Sequence, residues 1–372
     1  MSFHFHRNDL AALDKAHCLR TLVPPTGRDF SSNDYLGLAG SQLLRDAAVE
    51  AMERGVALGS GGSRLLRGNS AEHEALEADA AHFFGSESAL FVGSGFVANS
   101  LIFATLPQPD DLIVYDTLIH ASAHEGMKLS RAPCAGFAHN DAGAAADTIE
   151  RWRANGGRGR PWIAIETLYS MDGDFAPIAE FAALAQRTDA YLLVDEAHAV
   201  GVRGPDGRGL AADLYGADHV VGLATCGKAM GCEGALILGP AVLRDFLINR
   251  GRGFVFSTAP SPLIAAVVRA SLGIVARATD RRERLRERVA DAGRAFAPLG
   301  IAGSGTQIQP IVIGDEARTM RIAGALQERG FDVRGVRPPT VPAGTARLRV
   351  SITLNSANSD IGELADALER LL

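Results

Sequence analysis

The chain has 372 residues, of which 47% are hydrophobic and 22% charged, and a formal net charge of −6. That length suits one large α/β domain with a smaller companion, and that balance excludes disordered and collagen-like classes. The acidic net charge argues against a nucleic-acid partner, because neutralising phosphates needs an excess of Lys and Arg gathered on one surface.

In chain order, Met1-Ser2-Phe3-His4-Phe5-His6-Arg7 lacks the basic region and unbroken apolar stretch of a secretory signal. No apolar run reaches the roughly eighteen residues of a membrane span, so a cytoplasmic protein is expected. Residues 1–40, with Pro24-Pro25 and the turn Ser31-Ser32-Asn33-Asp34-Tyr35, read as an arm that packs onto the large domain. Residues 41–275 read as that domain. Its first helix, Ala71–Phe84, has an apolar stripe at Ala75, Leu76, Ala80 and Phe83 that stops at Gly85. Short β-rich apolar runs follow at 89–92, 112–115, 162–166, 191–195, 220–224 and 235–238, separated by helical patterns, with one helix opening near Gly95. Such alternation signals βαβ units and a mainly parallel sheet. Residues 262–299 read as one long helical stretch. Strands are expected again at 308–313, 331–336 and 348–353, with helices at 317–329 and 361–372, so residues 276–372 read as a connecting helix and a small α+β domain.

Cys18, Cys134, Cys226 and Cys232 include no Cys-x-x-Cys pair, so reduced thiols and no metal are expected. The basic run from Arg281 to Arg288 is interrupted by Glu283 and Glu287 and reads as a solvated helix face.

Three segments concentrate the chemistry. Val194-Asp195-Glu196-Ala197-His198 ends one strand, Thr225-Cys226-Gly227-Lys228 follows the next, and Gly93-Ser94-Gly95-Phe96 opens a helix. Ligands of α/β sheets sit at the carboxyl ends of the strands, so the three can converge on one crevice. A pyridoxal 5′-phosphate (PLP) enzyme needs a lysine for a Schiff base, an acid facing the pyridine nitrogen and an anion site at a helix N-terminus, and all three are present. A helicase reading of Asp195-Glu196-Ala197-His198 fails. Ala229 stands where a P-loop needs Ser or Thr for magnesium, an apolar strand follows where a helix is required, and Lys228 comes after its acidic strand. The Gly-x-Ser-x-Gly elbow of an α/β-hydrolase is absent, since no serine has a glycine two residues before it and another two residues after it.

On these and further segments the chain resembles the α-oxoamine synthase family of PLP enzymes. The matching stretches are Ser31-Ser32-Asn33-Asp34-Tyr35-Leu36-Gly37-Leu38, Gly59-Ser60-Gly61-Gly62-Ser63-Arg64, His120-Ala121-Ser122, His139-Asn140-Asp141, Ser170-Met171-Asp172-Gly173-Asp174, Phe256-Ser257-Thr258 and Arg347-Leu348-Arg349, in the family's order. The loop from Gly59 to Arg64 is most similar to the branch that serves biotin synthesis. Cys226, where an aromatic residue is common, and Cys232-Glu233 depart from the family pattern.

The resemblance implies an α/β protein of PLP-dependent transferase fold type I, with a mainly parallel seven-stranded sheet and a smaller α+β C-terminal domain. It implies an acyltransferase that condenses L-alanine with pimeloyl-CoA or a pimeloyl carrier protein and loses carbon dioxide. Sister activities with glycine or serine and other acyl thioesters stay open, as does a non-catalytic scaffold on the same fold. By the same resemblance Lys228 carries the cofactor and moves the Cα proton, and Asp195 meets the pyridine nitrogen. His120 stacks on the ring, while His198 and Ser170 lie near its phenolic oxygen. Ser94, Gly95, Phe96 and Thr225 hold the phosphate, with Ser257 and Thr258 reaching it from the partner subunit of a homodimer with shared sites. Asn33 and Arg349 take the amino-acid carboxylate. Arg347 remains an alternative to Arg349, and Arg20 is a candidate for the distal acyl carboxylate.

Overall fold

A computed structural model describes residues 3–372. The backbone separates into two units: Leu36–Tyr169 with Phe175–Arg282, and the residues up to Tyr35 with Ser170–Asp174 and Glu283–Leu372.

The larger unit is built on seven strands, β1 (Ser88–Val92), β2 (Leu112–Asp116), β3 (Cys134–Phe137), β4 (Pro161–Glu166), β5 (Tyr191–Asp195), β6 (Val220–Thr225) and β7 (Ala235–Gly239). Their order across the sheet is β1-β7-β6-β5-β4-β2-β3. Only β7 runs against its neighbours, so β1, β2, β5 and β6 all end on the same side of the sheet. The apolar runs explain the burial. Leu90, Val92, Leu193, Val221, Leu223 and Ile237 join one buried cluster with Leu101 and Ile102 of the helix Gly95–Thr105. Their neighbours Ala89, Phe91, Leu192, Val194 and Ala224 are equally buried. Successive strand residues point to opposite faces, so both faces of the sheet are covered. Each large apolar side chain so buried contributes about 1.5–3 kcal/mol.

The helix Ala71–Phe84 starts where His73 Nδ1 accepts the Ser70 N–H at 3.2 Å, and it ends at Gly85 with φ of 72°. The expected stretch 262–299 is broken into Pro262–Ala276, Thr279–Phe296 and a short turn Ala297–Leu299. The strand β3 was not legible beforehand; it is an edge strand with largely exposed positions.

The smaller unit has an antiparallel sheet of β8 (Ile308–Gly314), β9 (Arg334–Val336) and β10 (Ala346–Ser351) in the order β9-β10-β8. Helices His4–Lys15, Glu316–Glu328 and Ser359–Glu369 and most of Thr279–Phe296 belong to the same unit. The N-terminal residues differ from expectation. Instead of joining the large unit, Arg28–Asp29 pairs in parallel with Phe331–Asp332, Ser351 donates its N–H to Phe30 O at 2.8 Å, and Leu354 donates to Tyr35 O at 3.1 Å. The expected strand 331–336 is accordingly two short strands with different partners. Among the described residues no single helix is long and apolar enough to cross a membrane.

Candidate active site

In the large unit, strand ends and one helix start bring most of the expected residues together. Asp195 is the last residue of β5 and is buried. Its Oδ1 accepts the Ala197 N–H at 2.9 Å and its Oδ2 accepts from Asn99 Nδ2 at 3.0 Å. A carboxylate has about four lone-pair sites, so acceptor capacity remains for a further cation or N–H.

Lys228 lies in the loop after β6 and is half-buried. The loop is closed by Cys226 N–H to Gly234 O at 2.9 Å, Cys232 N–H to Cys226 O at 2.9 Å and Gly231 N–H to Lys228 O at 2.8 Å. Gly231 is required there, because φ is +65° and a Cβ would come within 2.5 Å of Ala39 N. A lysine on such a fixed backbone has few positions for its amine. Lys228 Nζ stands 2.8 Å from His198 Nε2, and His198 follows β5 in the same turn as Asp195.

His120 caps the helix Ala121–Lys128, and its Nδ1 accepts the Ser122 N–H at 3.2 Å and lies 2.8 Å from Ser122 Oγ. The residue as a whole stays open to solvent, while neighbouring atoms crowd its ring. Loss of water around the ring holds its pKa below the usual imidazole range. Lys228 and His124 push the same way and Asp195 opposes them.

Ser94 caps Gly95–Thr105, its hydroxyl accepting the Val97 N–H at 3.2 Å, and the first intrahelical bond runs from Ala98 N–H to Ser94 O. The N–H groups of Gly95 and Phe96 therefore belong to the unbonded first turn, where the helix dipole favours an anion. Thr225 Oγ1 borders this turn, lying 3.7 Å from where a Cβ on Gly95 would be. Ser257 and Thr258 are exposed and line a cavity of about 100 Å³ with Val92, Gly93 and Val97. The set comprises first-turn amides with flanking hydroxyls, an accessible imidazole face, an amine and a buried carboxylate. It matches in turn the phosphate, ring, aldehyde and pyridine nitrogen of PLP.

Glu196, next to Asp195, was not singled out from the sequence as a site residue. It is fully buried and accepts the N–H groups of Leu210 and Ala211, while Gly209 leaves no room for a Cβ, which would meet Glu196 Oε2 at 2.3 Å. Burial pushes its carboxyl up to about 7, against those two N–H bonds and the Thr167 hydroxyl.

The small unit holds the other expected residues. Arg349 of β10 is buried and donates from Nε to Ser170 O at 2.7 Å. It also donates to Ser351 Oγ at 2.9 Å, Asn33 Oδ1 at 3.0 Å and Tyr35 Oη at 3.3 Å. Every acceptor is neutral. Arg347 is instead paired with the Asp172 carboxylate. Ser170, expected beside His198, belongs to this unit, where its carbonyl orients Arg349. Arg20 is exposed, donates to Thr340 Oγ1 at 3.2 Å and shares no partner with Arg349. Among the described residues no His, Cys, Asp and Glu cluster could hold a metal ion.

Fold and donor set together define a PLP-dependent transferase of fold type I. The chain belongs to the aminotransferase class I and II family, whose model matches residues 26–368. It is 41% identical to the 8-amino-7-oxononanoate synthase of Chromobacterium violaceum over 97% of each chain. It is 43% identical to that of Anaeromyxobacter dehalogenans, over 92% of this chain and 85% of the other. Among solved structures it is similar to SPT, a serine palmitoyltransferase with a PLP internal aldimine, at a TM-score of 0.85 and 26% identity over 92% of this chain and 86% of that one.

Proposed function

We propose that the chain joins L-alanine to a pimeloyl thioester, giving 8-amino-7-oxononanoate, free thiol and carbon dioxide in biotin synthesis. The observation that carries this is the 41% identity, sustained over 97% of both chains, to a relative of that name. The cofactor is PLP, which when bound withdraws electrons from the amino-acid Cα. Lys228 Nζ anchors it and, once the substrate amine has taken its place, removes the Cα proton, with His198 Nε2 fixing the direction of the amine. Asp195 holds the proton on the pyridine nitrogen. Ser94, Gly95, Phe96 and Thr225 bind the phosphate and His120 covers the ring face.

Arg349 and Asn33 bind the alanine carboxylate. The Cα then forms its bond to the thioester carbonyl as the carbon–sulfur bond breaks and the thiolate takes a proton. Loss of the carboxylate as carbon dioxide leaves the electron pair on Cα, which is reprotonated. The protein works as a cytoplasmic homodimer in which Ser257 and Thr258 reach the phosphate of the partner's cofactor. The acyl donor is the CoA or carrier-protein thioester, and Arg20 is the candidate for its distal carboxylate.

A matrix assay tests the reading: L-alanine, glycine and L-serine against acetyl-, succinyl-, pimeloyl- and palmitoyl-CoA. L-alanine with the pimeloyl thioester should give the highest kcat/KM. A clear preference for another pair would move the assignment to a sister synthase.

A further inference from the structure

Asn99 sits in the middle of a largely apolar helix, Gly95-Phe96-Val97-Ala98-Asn99-Ser100-Leu101-Ile102-Phe103-Ala104-Thr105, and is 2% exposed. A buried amide in such a place costs stability unless its hydrogen-bonding groups are met. Its Nδ2 meets two acceptors, Asp195 Oδ2 at 3.0 Å and Ser122 Oγ at 2.9 Å. Its Oδ1 is buried with no hydrogen-bond partner. The orientation of the amide is therefore set by its two N–H bonds alone. Turning it over would aim the carbonyl at a carboxylate and lose both.

The donor directions then run one way. The Ser122 backbone N–H donates to His120 Nδ1 at 3.2 Å, so that nitrogen accepts, and the Ser122 hydroxyl, which accepts from Asn99, gives its own proton to it at 2.8 Å. The neutral imidazole thus carries its proton on Nε2. We propose that Asn99 is a positioning residue that ties the acid at the pyridine nitrogen to the histidine over the cofactor ring, through the chain Asp195–Asn99–Ser122–His120.

The idea rests on the reading that Asp195 faces the ring nitrogen. The N–H donated by Asn99 offsets part of the negative charge of the Asp195 carboxylate. Without it the cofactor feels more of that charge, and the nitrogen joining it to Lys228 holds a proton more readily. One net hydrogen bond corresponds to a shift of about half to one pH unit.

The test uses the holoenzyme and reads the pH dependence of the cofactor's visible absorbance. Asn99→Leu, close in volume but unable to donate, should raise the titration midpoint by about half a unit or more. It should also lower kcat while leaving KM for L-alanine nearly unchanged. Ser122→Ala, which disconnects only His120, should lower kcat with a smaller spectral shift. The double variant should lose less than the sum of the two, as members of one network do. A purely structural Asn99 would lower the melting temperature and leave the midpoint in place.

Should Asn99→Leu fail to fold, Asn99→Ser, too short to reach Asp195, is read the same way. Asp195→Asn separates the two levels of the argument. If it moves the midpoint and the Asn99 variants do not, the proposal is overturned. If Asp195→Asn itself changes nothing, the reading of Asp195 fails first.

Discussion

Arg347 and Arg349 stand two residues apart on β10 and both reach toward the segment Ser170–Asp174, yet only Arg347 finds a carboxylate there, that of Asp172. Arg349 is held in place by four neutral acceptors, so its charge is oriented and, among the described residues, meets no carboxylate. A buried guanidinium in that condition favours an incoming carboxylate, which it matches with two parallel bonds.

Arg349→Ala should therefore raise KM for L-alanine on the order of a hundredfold, about 3 kcal/mol, and Arg349→Lys should recover only part of it. Arg347→Ala should chiefly lower the melting temperature, because it strands Asp172. Initial rates across alanine concentration, beside thermal unfolding of both variants, check this. A large KM effect from Arg347 with none from Arg349 would exchange the two roles.

A second expectation concerns Lys228, whose amine is fixed by a closed loop and a histidine contact at 2.8 Å. Purified protein should be yellow, and borohydride should fix the cofactor to Lys228 as found by peptide mass mapping. A label on any other lysine removes the central assignment.

How much of this could be read in advance follows from burial. β5 was legible to the residue because Tyr191–Asp195 is a nearly continuous apolar run ending in an acid, and such runs form only where both sheet faces are covered. Cys134–Phe137, an edge strand that includes Gly136 and buries only Phe137, carries no comparable signal. The break after Ala276 was hidden because no Gly or Pro marks it, although Thr279-Asp280 is a helix-start pattern. At the site, Lys228, Asp195 and the Ser94 cap lie in local motifs and could be nominated from them. Asn99 and Glu196 were not, because their roles depend on what packs against them. A polar residue in the apolar helix was the one available hint of Asn99.

Glu196 gives a pH prediction. Its folded-state pKa is raised, from 4.5 to about 7, by burial. The unfolded chain therefore ionises first, so this group's favourable contribution is complete below 4.5 and is lost as pH rises through about 7. The loss amounts to something on the order of 3 kcal/mol. Urea unfolding at pH 5 and pH 8 should show the wild type losing more stability than Glu196→Gln, which does not titrate. Equal pH dependence in the two would mean that Glu196 does not ionise across this range.

The last expectation is that each active site is shared between two subunits. Ser257 and Thr258 are exposed, and among the described residues the Ser257 hydroxyl bonds the carbonyl of Thr258, which leaves both hydroxyls within reach of a neighbour. The same residues line a cavity with Gly93 of their own chain, which makes a within-chain phosphate contact the concrete rival. Lys228→Ala and a Ser257→Ala/Thr258→Ala double variant should each be nearly inactive. Unfolded and refolded together, they should form mixed dimers in which one site collects every lesion and the other has none. Random pairing of equal amounts makes half the dimers mixed, each with one intact site of two, so recovery should approach roughly a quarter of native activity. Each variant refolded alone is the control, and differently tagged chains confirm that subunits exchange. A mixture no more active than the average of those controls, with exchange confirmed, would place the phosphate contact within one chain.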